Sequence, residues 1–190
     1  MDIHLLVVCH GLWGSVSHVE NLSNKVSEVH ARRASNSDDA ELRVLIPKTN
    51  ESDLTYDGID LCAHRAVAEI DAFIAALSEQ RIVRFSIVGY SLGGLIARYV
   101  VGVLESRTPS FFDNIEPANF ATFASPAIGI PVYPSFVSRA TNYLGARLLS
   151  NTGQQLYAAD DYLNGKSLLE VMAQPGGLLI DEGAVSISSS

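Results

Sequence analysis

A serine framed by glycines, Gly89-Tyr90-Ser91-Leu92-Gly93, carries the most chemistry in this 190-residue chain. A serine hydroxyl attacks a carbonyl carbon only when it stands clear of the backbone and a base takes its proton. The neighbouring residues supply the first condition. Ile82 to Val88 is an apolar, β-branched run that reads as a strand, and Leu92, Leu95, Ile96, Tyr99, Val100, Val103 and Leu104 follow at helical spacing. Strand, tight turn and helix in that order raise the hydroxyl above the sheet edge. A side chain at position 89 or 93 would collide with the crossing strand or helix, so both need glycine. The chemistry this implies is nucleophilic acyl transfer on Ser91.

A second motif lies near the start. Ile3 to Cys9 is a continuous apolar run, suited to a strand buried on both faces of a parallel sheet. It ends in His10-Gly11-Leu12-Trp13-Gly14, where Gly11 and Gly14 are expected to let the backbone turn inward. An N–H in such a loop, with one from the residue after the nucleophile, forms an oxyanion hole. Here the donors are Leu12 and Leu92. One such donor is typically worth ~10²–10³ in rate.

Five separated blocks now form a pattern: HLLVVCHGLWGSVSHVENL, TYDGIDLCAHRAVAEI, VGYSLGGLIARYVVGVL, NFATFASPAIGI and TGQQLYAAD. Together they resemble the serine esterase family of lipase-like α/β-hydrolases, of the fungal type that acts on lipid-droplet phospholipids and acylglycerols. The resemblance runs in order from Met1 to about Ala173. It implies an α/β-hydrolase three-layer fold with a mostly parallel sheet, Ser91 as nucleophile and Leu12 and Leu92 as oxyanion donors. It also implies hydrolysis of lipid esters with no cofactor, at the surface of a lipid droplet or the endoplasmic reticulum or in the cytoplasm.

The base is the difficulty. In this fold the triad order is serine, then acid, then histidine. All five histidines, His4, His10, His18, His30 and His64, precede Ser91. The family's acid and histidine lie on strands beyond its counterpart of residue 173. The expectation is therefore a partial hydrolase domain over 1–174, its C-terminal strands missing, and a disordered, off-pattern tail over 175–190. His10 lies near the site but belongs to the loop motif, and it is the first substitute base to consider. Two other readings stay open: a catalytically silent lipid-binding module, and a fragment with an exposed sheet edge.

Composition narrows the partners. The net charge of −8 opposes nucleic-acid binding and electrostatic attachment to anionic membranes. Cys9 and Cys62 make no disulfide framework and read as buried thiols, and no ligand spacing suggests a metal. Residues 87–104 are apolar, but Ser91, Arg98 and the glycines fit an elbow and core helix better than a membrane span.

The remaining elements must position these motifs. The pattern predicts a helix between Gly14 and Arg33, an exposed loop over 34–40, and a second strand from Leu42 to Pro47. A long amphipathic helix follows from Ile59 to Leu77, the elbow strand next, and a fourth strand from Phe120 to Ala124. Pro131 to Ser150 reads as an amphipathic helix, either a cover for the sheet or a lid. Strands alternating with helices imply βαβ units, and right-handed crossovers with the family's topology order the strands 2-1-3-4.

Overall fold

The computed structural model describes residues 1–34, 40–77, 79–131 and 150–174. Strand β1 (Asp2–Cys9) leads through a tight loop into helix α1 (Val16–Ala34), and β2 (Glu41–Leu45) follows. A 3₁₀ turn over Ser52–Tyr56 precedes α2 (Ile59–Ala75). The elbow consists of β3 (Arg81–Tyr90) and α3 (Leu92–Glu105), and β4 (Glu116–Phe123) comes after them. Two short helices, α4 (Asn151–Leu156) and α5 (Leu168–Ala173), complete the described elements. The expected helix over 131–150 and the tail over 175–190 fall almost entirely outside the described residues, as does most of the 34–40 loop.

The sheet runs β2-β1-β3-β4 with every pair parallel, the order expected from right-handed crossovers with the topology of the family the chain resembles. Side-chain alternation on β1 splits the core in two. Ile3, Leu5, Val7 and Cys9 face α2 and α3, where they pack with Phe85, Ile87, Cys62, Ile70, Ile96 and Val100. Leu6 and Val8 face the other way and meet Val19 of α1, with Leu22 and Val26 against them. Helices thus cover both faces, giving three layers, and β1 must be apolar throughout.

The fourth strand begins at Glu116, four residues before the expected Phe120. Pro117 hides this start from a pattern reading, because proline is unusual inside a strand. The ladder accommodates it: Phe85 pairs with Pro117, and the register shifts before Ser86 pairs with Asn119.

Cys9 and Cys62 are free, buried thiols, and burial pushes both from an ordinary 9.0 up to about 12. A buried group that resists ionisation makes the unfolded chain release protons first, so the native state binds more protons between those values. Its stabilising effect is fully present below pH 9 and is lost as pH rises toward 12. Chemical denaturation midpoints measured from pH 8 to 11 should fall steadily, and alanine at both cysteines should flatten that slope.

Candidate active site

β3 delivers the chain to Ser91 in a conformation that few non-glycine residues adopt. Ser91 has φ 55° and ψ −124°, and it directly precedes the first turn of α3. Conformations of this kind cost ~1–3 kcal/mol and persist where surrounding structure holds them. Part of the hold is visible: the Ser91 N–H donates to the carbonyl of Phe123, at the end of β4, at 2.8 Å. Ser91 is half-buried, and Tyr90 beside it is exposed.

The glycines make the crossing possible. A Cβ at Gly93 would overlap the carbonyl oxygen of Cys9 and approach that of His10 to 2.6 Å, both at the end of β1. A Cβ at Gly89 would overlap the backbone of Gly93 and Gly94. Gly94, which the sequence reading passed over, is equally constrained, since its Cβ would come 2.6 Å from Ser125 Cβ just beyond β4. The doubled glycine after Leu92 was the available signal.

The loop after β1 comes to the same place. A Cβ at Gly11 would stand 2.9 Å from Ser91 Cβ and 3.4 Å from Ser91 Oγ, so the Gly11 backbone lies directly against the serine. Leu12 follows it and packs on the core, and Leu92, fully buried, opens α3. The turn is closed by the Gly14 N–H donating to the Gly11 carbonyl at 2.9 Å. Gly11 and Gly14 were expected to let the backbone turn inward, without the means being specified. In the structure Trp13 takes the positive φ, 54°, and the glycines serve close approach. At Gly14 the obstacle to a Cβ is the His10 ring, together with the Gly11 carbonyl at 2.7 Å.

The His10 ring is buried. Its Nδ1 lies 3.1 Å from the Gly11 carbonyl, while Nε2 has no hydrogen-bond partner among the described residues. No described histidine hydrogen-bonds to Ser91 Oγ. His4 meets Ser86 Oγ at 2.8 Å, His18 accepts from the Ser15 N–H, His30 meets the Ala40 carbonyl, and His64 stacks edge-on to Tyr99. Among the described residues, no group of His, Cys, Asp and Glu could hold a metal ion, and no helix is long and apolar enough to cross a membrane.

Three layers around a parallel sheet, with a strained serine at the junction of strand and helix, fit the α/β-hydrolase fold. The chain belongs to the family described as "Putative serine esterase (DUF676)", whose model matches residues 1–180. It is 27% identical over 172 residues to "Putative lipase YDL109C" and 29% identical over 171 residues to "Putative lipase ROG1", both of Saccharomyces cerevisiae. It is also 29% identical over 180 residues to "Putative lipase C4A8.10" of Schizosaccharomyces pombe. Each alignment takes in 90% of this chain but only 25%, 24% and 22% of those relatives, so the chain spans about a quarter of their length. Among solved structures, a type II thioesterase, YbtT of the yersiniabactin NRPS/PKS biosynthetic pathway, is 14% identical with a TM-score of 0.41. That match covers 83% of this chain and 66% of the thioesterase.

Two outcomes follow from this geometry. Gly93→Val should melt below the wild type, because the obstacle is β1 backbone that cannot step aside; overpacking of this kind costs ~1–3 kcal/mol. Ser91→Gly should melt at or above the wild type, since relief of ~1–3 kcal/mol of backbone strain outweighs the flexibility a glycine adds to the unfolded chain. Thermal unfolding followed by circular dichroism checks both, and a Ser91→Gly chain less stable than the wild type would contradict the strain.

Proposed function

We propose that this chain carries the nucleophile and oxyanion hole of a serine esterase that hydrolyses carboxylic esters of lipids, acylglycerol or phospholipid, through an acyl-enzyme on Ser91. The observation that carries the reading is the strained Ser91 at the strand–helix junction with the Gly11 backbone against it. In the reaction, Ser91 Oγ attacks the ester carbonyl and the N–H groups of Leu12 and Leu92 receive the developing oxyanion. The N-terminus of α3 adds its partial positive charge at that point. The alcohol leaves, and water then releases the acid and restores the serine.

The base that takes the Ser91 proton is assigned to sequence outside residues 1–174. Two observations support this: no described histidine hydrogen-bonds to Ser91 Oγ, and the chain spans a quarter of its relatives. The lipid substrate is supported by the relatives' printed descriptions as lipases. A lipid-droplet or membrane surface is the expected place of action, and no nucleic-acid partner is expected of a chain with net charge −8. His10, buried in the loop, is read as part of its scaffold.

Without its own base, residues 1–190 should react slowly with a fluorophosphonate, because losing the triad histidine costs on the order of 10⁶ in turnover while the oxyanion hole retains ~10³–10⁴ over water. Imidazole added to the buffer should accelerate the labelling by replacing the missing base. Ser91→Ala should abolish it at an unchanged melting temperature. Labelling that persists in the alanine variant, or none at Ser91 with imidazole present, would overturn the reading.

A further inference from the structure

The block Thr152-Gly153-Gln154-Gln155-Leu156 takes no part in the elbow, yet it lies within α4 and buries two polar side chains. Thr152 and Gln155 are both buried, and both are spent on the backbone of residues 55–59. Thr152 Oγ1 donates to the Thr55 carbonyl at 2.6 Å and accepts from the Gly58 N–H at 2.9 Å. Gln155 Oε1 accepts from the Ile59 N–H at 2.5 Å, and its Nε2 donates to the Asp60 carboxylate at 2.8 Å. Asn151 Nδ2 adds a bond to the Asp57 carbonyl at 3.0 Å. A six-residue helix has little stability of its own, so these bonds, with Leu156 in the core, close α4 as a bracket on the 3₁₀ turn and the start of α2.

That turn in turn holds the loop after β1. Thr55 is fully buried, and its Oγ1 accepts from the Trp13 N–H at 3.1 Å while donating to the Ser52 carbonyl at 2.7 Å. The Ser52 N–H donates to the Gly14 carbonyl at 3.0 Å, and the Trp13 indole N–H donates to the Tyr56 hydroxyl. The Trp13 amide is the peptide unit immediately after Leu12. Its bond to Thr55 therefore fixes the peptide that follows Leu12, next to the one that carries the Leu12 N–H.

We propose that Thr152, acting through Thr55, and Gln155, which anchors α4 on the start of α2, are positioning residues for the loop at 11–14, so that α4 sets the direction of the Leu12 N–H toward an oxyanion formed at Ser91. This rests on the esterase reading of that loop. The requirement is for hydroxyl and amide groups, not for volume. Valine matches threonine in shape but leaves the Trp13 or Gly58 N–H unpaired.

The test compares Thr55→Val and Thr152→Val with the rescue variants Thr55→Ser and Thr152→Ser in the 190-residue chain. One readout is acrylamide quenching of Trp13, the sole tryptophan. The other is the imidazole-assisted rate of fluorophosphonate labelling at Ser91. Both valine variants should raise quenching and slow labelling by ~10²-fold, the loss that a misplacement of about an ångström causes. Both serine variants should keep wild-type values. Valine variants that melt lower yet quench and label as wild type would make α4 a stabilising bracket only and overturn the proposal. Serine variants that behave like valine would do the same. If the wild type does not label, the esterase reading falls, and Trp13 quenching alone decides whether α4 holds the loop. If Thr152→Val does not fold, Gln155→Met, which loses the Ile59 and Asp60 bonds, carries the same two expectations.

Discussion

The ends of β1 and β3 and the start of α3 approach more closely than side chains permit. Gly93 lies against the carbonyl oxygens of Cys9 and His10, Gly89 against Gly93 and Gly94, and Gly11 against Ser91. Close packing of backbone on backbone leaves no volume for adjustment, so these contacts set the position of every chemical group at the sheet edge. The apolar run of β1 brings its carboxyl end to this point by burying both faces. The apolar face of α3 fixes its axis by packing on α2 and the sheet. Ser91 is left in its strained conformation because strand and helix are both immovable there.

Strain at the serine and hydrogen bonding around the loop are two parts of one arrangement. A backbone held at φ 55° relaxes unless its neighbours are pinned. The Phe123 carbonyl pins Ser91 from β4, and the Thr55 hydroxyl pins Trp13 from the 3₁₀ turn. Trp13 itself has a positive φ of 54°, so the loop after β1 and the turn after β3 each hold one non-glycine residue in an unusual conformation. Buried hydroxyls suit this task, since each both donates and accepts and leaves no orphaned partner in a region closed to water.

Much of this was legible in the chain. β1, α2, β3 and α3 announce themselves by continuous or helix-period apolar runs, because each buries a large face. The strand order followed from crossover handedness together with the topology of the family the chain resembles, and the tight turn at Ser91 from its glycine frame. β4 was legible only in part: it is exposed along much of its length, opens with Glu116 and Pro117, and so carries little apolar signal. The role of Gly94 depends on Ser125, and that of Thr55 on Trp13, contacts that no local pattern encodes. The α4 bracket is harder still, since its bonds join residues 94 to 97 positions apart. Periodicity reports burial, whereas polar pairing at a distance leaves no period.

His10 shows how the same geometry divides the proposed reaction. Its ring fills the space that Gly14 leaves open, and its Nδ1 faces the Gly11 carbonyl, so it stiffens the loop from inside. A base must swing between accepting the serine proton and handing it to the leaving alcohol, and it needs a third group to orient it. A buried ring wedged beneath a tight turn has neither the freedom nor, among the described residues, the hydrogen-bonded partner at Nε2 that such a role needs. The loop gains rigidity from that histidine, and the proposed oxyanion hole needs such rigidity, since its donors would act by being in place before charge develops. In the proposed reaction, preorganisation belongs to this chain, and proton transfer to a residue beyond it.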